Sequence, residues 1–507
     1  MRWLIIPLGV VNVALGASFL LQRPVDHQHL TRTHGMNLDL SPPAKLFNRY
    51  GSSFLASKGR HKTSLDVSSL VSDEELKKEA ELLTRTWASA SSPLAGADPK
   101  PFQQKERSFL LQFSRVLDHP ACFFSPMGRV IQKAFFLSNL TNRRHIVDFV
   151  AEHPEILEGK GVDADNRLLV VTGMHRTGST LLQNLLSLDP NCRTTLTWEM
   201  TNSVPPPTTL DQLQRDPRIQ QINNDLLRTK QVCTDWYQNF MRVHVYAAHK
   251  PEEDVLVLFG KLSIWYYAYL LDEIDPTLID SLRERSSYVV RYLHLYLKMA
   301  DWALPPASHW VIKNPDHSQY LEEFIKEFPE ANVIVTHRDP CKVVPSWATL
   351  MLHSMHIQLY NDFSQDLPLV SLPVSLIGPE LTWEQVNCIR DPQKWAEKCL
   401  SQSKDEANRM MESRRALNSS QPEKAHRIFD ATYSQLVSDP IQLIRNIYKH
   451  YNYEFTPEYQ QRIEEYLKLN PQGKYGPNPY SLESYNLTKE QVDSAFASYK
   501  QEYAQFF

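Results

Sequence analysis

The sequence predicts an α/β protein built on a parallel sheet, and three observations lead to that prediction. Short, uniformly apolar runs recur along the chain, as in "RLLVVTG", "HWVIKNP" and "ANVIVTHRD". Such runs are typical of strands buried on both faces of a parallel sheet. Amphipathic helical patterns separate the runs, and the first run leads into a glycine-containing loop and a helix. Alternating strands and helices therefore predict a P-loop-type sheet with right-handed crossovers and flanking helices.

Each predicted element follows from one of these patterns. We expect strands in the three runs above and in "HRIFDATY", which ends at Tyr433. We expect amphipathic helices between them over Thr180 to Ser187, Pro217 to Thr229, Asp254 to Leu271, Ser287 to Trp302, and Ser318 to Phe328.

The chain divides into four segments by composition. Residues 1–23 hold about 20 apolar positions, the length of a bilayer span, and predict a signal peptide or a membrane anchor. Residues 24–70 are polar and contain proline, as in a linker or stem. Residues 71–164 predict a helical N-terminal region. Residues 165–507 predict the P-loop domain, in which about 353–405 form an insertion over the site.

Overall charge and cysteine usage exclude some functions. The net charge of −4 over 507 residues gives no electrostatic argument for nucleic acid binding. The six cysteines include no C-x-x-C pair, so we expect no metal site, and disulfide pairing stays open. Glycosylation sequons at Asn139, Asn418 and Asn486 suit a glycoprotein of the secretory pathway. With the apolar N-terminus, they lead us to expect membrane association, at the Golgi for example.

The loop "GMHRTGSTLL" is the strongest local signal of chemistry. Gly173 and Gly178 are separated by four residues, and the backbone N–H groups from Thr177 to Thr180 open a helix, a geometry that binds phosphate oxygens. Arg176 adds a planar cation that can hold a phosphate through two bonds. Ser179 occupies the position of the lysine of nucleotide triphosphatases. We therefore expect a phosphate held without a metal ion.

Two distant segments resemble one known family. "GMHRTGSTLL" resembles the 5′-phosphosulfate loop of sulfotransferases that use 3′-phosphoadenylyl sulfate (PAPS), in the form of the tyrosylprotein and bacterial types. "ANVIVTHRDPCKVVPSWATL" resembles their 3′-phosphate segment, with Arg338 at the strand end and Ser346 eight residues later. The resemblance covers about residue 165 to the C-terminus. It implies the P-loop sulfotransferase fold and PAPS as the sulfuryl donor.

The resemblance also implies roles for further residues. "ATYSQLVSDP" is similar to a family segment that would place Tyr433 near the adenine, and Lys474 would close over the donor phosphate. The implied donor-binding residues are Arg176, Thr177, Gly178, Ser179, Thr180, Arg338, Ser346, Tyr433 and Lys474.

Catalysis needs a cation at the bridging oxygen of the donor and a base for the acceptor proton. Lys313 stands where the family places a lysine beside that oxygen. For the base, the resemblance offers Glu199 and His317, and we favour Glu199. Apart from the base, the resemblance would place Glu253, in "HKPEED", at the border of the acceptor pocket, which makes it a weak site candidate.

Two other functions fit parts of the pattern. A P-loop kinase or nucleotidase with a degenerate Walker motif is one, although its lysine after Gly178 is absent. A non-catalytic, membrane-tethered protein of the same fold is the other, and it would not need Glu199, Lys313 and Arg338 to converge. The acceptor stays open as a small molecule, lipid, glycan or peptide that carries a hydroxyl or amine.

Overall fold

A computed structural model describes residues 65–87, 92–119, 122, 126–232, 234–263, 265, 271–272, 274–356, 392–471 and 480–506. The predicted signal peptide or anchor of residues 1–23, most of the predicted linker, and Lys474 lie outside these residues.

The core of the described chain is a parallel sheet of five strands in the order β2-β3-β1-β4-β5. The strands are β1 (Leu168–Gly173), β2 (Arg193–Thr194), β3 (Trp310–Lys313), β4 (Asn332–His337) and β5 (Ile428–Thr432). The α/β prediction and all four predicted strands are confirmed. The strand β2 was not predicted, because two residues at a sheet edge leave no apolar run.

Burial of both sheet faces explains why the strands read as apolar runs. Every residue of β1, β3 and β4 is buried. The central strand β1 pairs with two neighbours, so that Val170 lies opposite Ile312 of β3 and Val333 of β4. Because all strands are parallel, their carboxyl ends meet at one edge, where the loops after β1, β3, β4 and β5 come together.

Helices cover both faces of the sheet. Those before β3 are Asp73–Thr84, Pro99–Leu117, Pro126–Glu152, Ser179–Leu186, Thr197–Thr201, Leu210–Arg215, Pro217–Val232, Thr234–Val243, Val255–Leu258, Leu278–Arg283 and Ser286–Ala303. Those after β3 are Leu321–Glu327, Pro340–His356, Pro392–Ser420, Tyr433–Ser438, Pro440–His450, Pro457–Leu469, Lys489–Ala495 and Ala497–Glu502.

The predicted helix from Asp254 to Leu271 was wrong in its extent. Within the described residues a helix spans Val255–Leu258 and a 3-10 turn follows over Phe259–Lys261, while Trp265 and Leu271 are again helical. Leu262 then takes a left-handed backbone with φ of 51°. The Lys261 ammonium lies between the N-terminal helices and donates to the Glu106 carboxylate at 2.7 Å. A tertiary ion pair therefore overrides the local helical pattern.

The predicted insertion of about 353–405 is helical at both described ends. The helix that begins at Pro340 continues to His356, and a 29-residue helix begins at Pro392. Trp395 of this second helix is buried and donates a hydrogen bond of 3.0 Å to the Ala348 carbonyl. Residues 392–405 therefore pack onto the sheet domain, while residues 357–391 lie outside the described chain.

The predicted helical N-terminal region shares its core with the sheet. Buried Leu76 and Phe109 of its helices belong to the same apolar cluster as Leu168 of β1 and Ile312 of β3. The first helix starts with the acidic turn that the sequence predicts, and Ser72 and Glu75 form a capping box there. The region therefore packs against the sheet in one continuous core.

Surface features bear on the predicted location. None of the helices within the described ranges is long and apolar enough to cross a bilayer. The Asn139 side chain is buried and donates to the Phe135 carbonyl within its own helix. Asn418 and Asn486 are exposed. Only the latter two sequons therefore present a side chain that a glycosylating enzyme could reach.

Candidate functional site

The loop between β1 and the helix Ser179–Leu186 packs tightly against β4 and β5. A Cβ on Gly173, whose φ is +128°, would lie 2.5 Å from the Thr336 carbonyl oxygen. A Cβ on Gly178, whose φ is +94°, would lie 2.8 Å from the Tyr433 ring. The Thr177 hydroxyl lies 2.6 Å from that of Thr336. Both glycines are therefore required, and the loop amides are fixed at the carboxyl edge of the sheet.

The two segments that resemble donor-binding elements meet at this loop. The Arg176 Nε donates to the Ser346 hydroxyl at 2.8 Å. The Arg338 Nη1 donates to the Arg176 carbonyl at 2.9 Å, across 162 positions of sequence. The Arg338 guanidinium also lies 3.9 Å from the centre of the Tyr433 ring. The fold thus brings together four of the predicted donor-binding side chains.

Neither arginine has a carboxylate within ion-pair distance in the described part of the chain. Their polar partners there include the Ser346 hydroxyl, the Tyr480 side chain and the carbonyls of Val243 and Arg176, while Glu253 acts on Arg176 only from a longer distance. Burial lowers the pKa of Arg176 and the nearby Arg338 adds to this, although Tyr480 and Glu253 act in the opposite direction. Two adjacent cations at a helix N-terminus make a strongly anion-attracting site.

Lys313 approaches the same loop from the neighbouring strand. It is fully buried at the end of β3, and its Nζ donates to the Thr180 hydroxyl at 3.1 Å. It also pairs with the Glu253 carboxylate. A lysine on β3, beside the first turn of the loop helix, therefore supplies the cation that the loop itself lacks after Gly178.

Glu253 is the middle residue of three consecutive acids with different partners. Glu252 is held by His244 at 2.9 Å, and its carboxylate also accepts the Glu253 N–H at 2.9 Å. Asp254 accepts from the Asn314 amide at 2.9 Å. Glu253 alone faces Lys313, and its side chain is 22% exposed. It is therefore the carboxylate of the three that an acceptor could approach.

His317 lies next to this group but is fully engaged. Its Nε2 is 2.8 Å from an Asp254 carboxylate oxygen, and its Nδ1 is 3.0 Å from the Tyr320 hydroxyl. The ring is completely buried. Both ring nitrogens are occupied, which leaves neither of them available to an acceptor proton in this arrangement.

Glu199 lies in the short helix Thr197–Thr201, at the β2 edge of the sheet. Its carboxylate pairs with Arg193 of β2, whose guanidinium packs on the Trp310 ring at 4.4 Å. Burial raises the pKa of Glu199, and one of its oxygens has no hydrogen-bond partner. Within the described ranges no hydrogen bond or ion pair joins Glu199 to Lys313 or to the loop.

Sequence reasoning missed a second charged group on the loop. The His175 Nδ1 lies 2.8 Å from Glu406 of the helix Pro392–Ser420, and the ring packs 4.2 Å from the Trp347 ring. Burial disfavours the charged imidazole, but Glu406 and Asp316 together raise the pKa of His175 to about 9. Burial raises the pKa of Asp316 to about 7. His175 stands in the quoted loop, but Glu406 carries no sequence signal because it lies 231 positions away.

The remaining predicted residues are placed as follows. Ser179 is buried at the helix start and Thr180 is exposed at the site, while Lys474 lies outside the described chain. The described residues contain no group of His, Cys, Asp and Glu that could hold a metal ion.

Comparison with known proteins gives a consistent result. Residues 169–369 match the family described as "Sulfotransferase family", and these residues include the loop, Lys313, Arg338 and Ser346. A search of curated protein sequences found no match.

Solved structures with a similar fold include two mycobacterial proteins. The sulfotransferase STF9 from Mycobacterium avium is 24% identical, with a TM-score of 0.62 over 85% of this chain and 96% of its own. The sulfotransferase STF1 from Mycobacterium tuberculosis H37Rv is 20% identical, with a TM-score of 0.57 over 85% of this chain and 99% of its own. At these identities, the likeness shows the fold.

Proposed function

We propose that this chain, whose residues 169–369 match the sulfotransferase family, transfers a sulfuryl group from PAPS to an acceptor hydroxyl or amine. The observation that carries the choice of donor is the pair of adjacent guanidinium groups, on Arg176 and Arg338, that lack a carboxylate partner. A nucleotide with two phosphate groups at opposite ends of its ribose would supply both counter-charges.

Each end of such a donor has matching groups. The amides from Thr177 to Thr180 and the Arg176 fork suit the 5′-phosphosulfate. Arg338 and the Ser346 hydroxyl suit the 3′-phosphate. The Tyr433 ring, which packs on both Gly178 and Arg338, offers a face for the adenine.

The transfer breaks the bond between sulfur and the bridging oxygen and forms a bond between sulfur and the acceptor oxygen or nitrogen. The bridging oxygen leaves with the 5′-phosphate and gains negative charge, which Lys313 beside Thr180 would stabilise. The acceptor proton passes to a base. We assign that base to Glu253 in preference to Glu199, because Glu253 is partly exposed and pairs with Lys313.

The donor assignment is tested by nucleotide binding. Titration calorimetry of the purified protein should give tighter binding for adenosine 3′,5′-bisphosphate than for ATP, since ATP lacks the 3′-phosphate. Incubation with sulfur-labelled PAPS and fractionated cell extracts should then label an acceptor. Equal binding of both nucleotides would contradict the donor, and binding without any labelled acceptor would favour a non-catalytic protein.

The base assignment is tested by two matched amide substitutions. With an acceptor from that screen, Glu253→Gln should lower kcat by about 100-fold or more, as expected for loss of a general base, with bisphosphate affinity little changed. Glu199→Gln should chiefly lower stability, because it unbalances the buried pair with Arg193. The opposite pattern, in which only Glu199→Gln abolishes turnover of folded enzyme, would restore Glu199 as the base.

We also propose that the chain acts in the secretory pathway, at the Golgi membrane. The apolar residues 1–23 and the exposed sequons at Asn418 and Asn486 support this location. Glycosidase treatment of the protein from mammalian cells should then reduce its mass, and Asn418→Gln with Asn486→Gln should remove that shift. A protein without glycan in the cytosolic fraction would contradict the proposal.

A further inference from the structure

The helix Pro392–Ser420 reaches the donor loop through one carboxylate that the transfer chemistry does not use. Glu406 is 3% exposed. Its Oε1 accepts two hydrogen bonds from the same residue, from the His175 backbone N–H at 2.9 Å and from the His175 Nδ1 at 2.8 Å. A single oxygen thus holds both the backbone and the ring of the residue that precedes Arg176.

The next residue of the loop has a backbone that needs such support. Arg176 has a φ of 66°, in the left-handed region that a non-glycine residue rarely adopts. Such a conformation persists only where the surroundings fix it. Here Glu406 holds the N–H of His175 on one side, and Arg338 holds the carbonyl of Arg176 on the other. The two contacts bracket the residue whose side chain would hold the donor phosphate.

The contact between Glu406 and His175 is an ion pair as well as a hydrogen bond. Three carboxylates face His175, each from a different element: Glu406 from the helix, Asp316 from the turn after β3, and Glu253 from the turn that precedes Val255. The Asp316 carboxylate lies 4.0 Å from the other ring nitrogen, Nε2, and the Trp347 ring covers one side. These carboxylates favour the imidazolium, so the bond from Nδ1 to Glu406 joins two ions and is stronger than a neutral one.

We infer that Glu406 and His175 are positioning residues of the donor loop, whose charged contact holds Arg176 in the orientation that grips the donor's 5′-phosphate. This inference rests on the proposed function, because it takes the loop to be the donor site. Neither side chain needs to touch the donor. Their effect reaches it through the backbone of Arg176.

The test measures binding of adenosine 3′,5′-bisphosphate to the full-length protein between pH 7.5 and 10. Glu406→Gln keeps an oxygen for the His175 N–H but removes the charge, and affinity at pH 7.5 should fall about tenfold. Wild-type affinity should decline as pH rises through about 9, as the imidazolium loses its proton. In Glu406→Gln the decline should begin at lower pH. A residue with a merely structural role would lower affinity without moving this pH midpoint.

Two further variants keep the test decisive. Glu412→Gln, an exposed glutamate on the same helix, should leave affinity and pH profile unchanged. His175→Gln should weaken binding and abolish the decline near pH 9, and combining it with Glu406→Gln should cost less than the sum of the two single changes. If Glu406→Gln alone does not fold, the double variant, which removes both charges of the pair, replaces it in the binding measurement.

Each outcome has one meaning. If folded Glu406→Gln and His175→Gln bind the bisphosphate as wild type does, or if the pH profile does not move, the positioning role is wrong and the donor assignment stands. If wild-type protein does not bind the bisphosphate at all, the proposed function itself fails.

Discussion

Two charged regions of this molecule are buried, but they are completed in different ways. One, the interhelical charge cluster, consists of Glu79, Glu106, Arg143, Lys261 and Arg285, and every member is at most 5% exposed. In it each cation meets a carboxylate: Lys261 and Arg285 both reach Glu106 at 2.7 Å, and Arg143 pairs with Glu79. The cluster joins the N-terminal helices to the segment around Lys261.

The donor edge, formed by Arg176, Arg338, Ser346, Lys313 and Glu253, is the second region. Among its described contacts only Lys313 has a carboxylate partner. The two arginines are satisfied by side-chain hydroxyls and by backbone carbonyls. The edge therefore carries positive charge that the described protein does not neutralise.

The difference shows which buried charges indicate function. Burial of charge by itself marks both regions, and the interhelical charge cluster is the more deeply buried of the two. Buried cations that each have a carboxylate partner contribute to the fold, whereas two adjacent cations without one at a helix N-terminus point to a bound anion. Removing a charge should therefore have opposite consequences in the two regions.

The largest expected effect is on stability in the interhelical charge cluster. Glu106→Ala leaves Lys261, Arg143 and Arg285 with Glu79 as their only carboxylate, so the free energy of unfolding should fall by about 3–5 kcal/mol. Urea denaturation measures it. Glu284→Ala, which breaks the exposed pair with Lys105, is the control and should cost about 1 kcal/mol or less. If both variants lost a similar amount of unfolding free energy, the buried ion pairs of the cluster would contribute no more to stability than an exposed pair does.

At the donor edge, loss of a cation should weaken binding and leave the fold intact. Arg338→Ala should lower the affinity for adenosine 3′,5′-bisphosphate by about 10- to 100-fold, because a bond between charged partners is lost. Its melting temperature without ligand should not fall, since removing one of two adjacent cations relieves repulsion. Calorimetry and thermal melts measure both quantities. A less stable variant with wild-type affinity would mean that Arg338 belongs to the fold and not to the site.

The same comparison explains what could be predicted from the sequence. The strands were predictable because burial on both faces leaves unbroken apolar runs. Arg338 and Ser346 were singled out because their segment resembles the 3′-phosphate segment of a known family. Glu406 was not predictable, since its contact with His175 spans 231 positions and leaves no local pattern.

Two other differences have local causes. The sequence gives Glu252, Glu253 and Asp254 as three equivalent acids, and only the packing of His244, Lys313 and His317 distinguishes them. The helix predicted from Asp254 to Leu271 is interrupted at Leu262, next to Lys261 of the interhelical charge cluster. In both cases a partner from a distant segment decides the outcome, which periodicity cannot reveal.

The pH dependence of stability should differ between the regions. Burial raises the pKa of Asp316, beside the donor edge, to about 7, so the native state binds this proton more tightly than the unfolded chain does. Its contribution to stability is thus complete below about pH 4 and is lost as pH rises to 7. Relative to wild type, Asp316→Asn should gain roughly 1–2 kcal/mol between pH 5 and 7.

Urea denaturation at pH 5, 6, 7 and 8 checks this sign. The exposed Asp280→Asn serves as the control and should show no such trend. Glu106 has the reverse behaviour: although its burial opposes ionisation, Arg285 and Lys261 hold its pKa well below the usual range, so its contribution persists at neutral pH. A constant difference between Asp316→Asn and wild type would show that the proton is not taken up there.

The smallest expected effect concerns the carboxylate next in sequence to Arg338. Asp339 pairs with Lys500 at 3.3 Å and accepts the Cys341 N–H at 3.0 Å, so it does not neutralise its arginine neighbour. Asp339→Asn keeps an acceptor for that N–H and removes only an exposed pair, worth at most about 1 kcal/mol. Bisphosphate affinity should change less than twofold, in the direction of tighter binding because a nearby negative charge is gone. If calorimetry instead finds that Asp339→Asn raises the bisphosphate affinity as strongly as Arg338→Ala lowers it, Asp339 is a counter-ion of the donor edge. The positive charge of that region would then be partly neutralised by the protein itself.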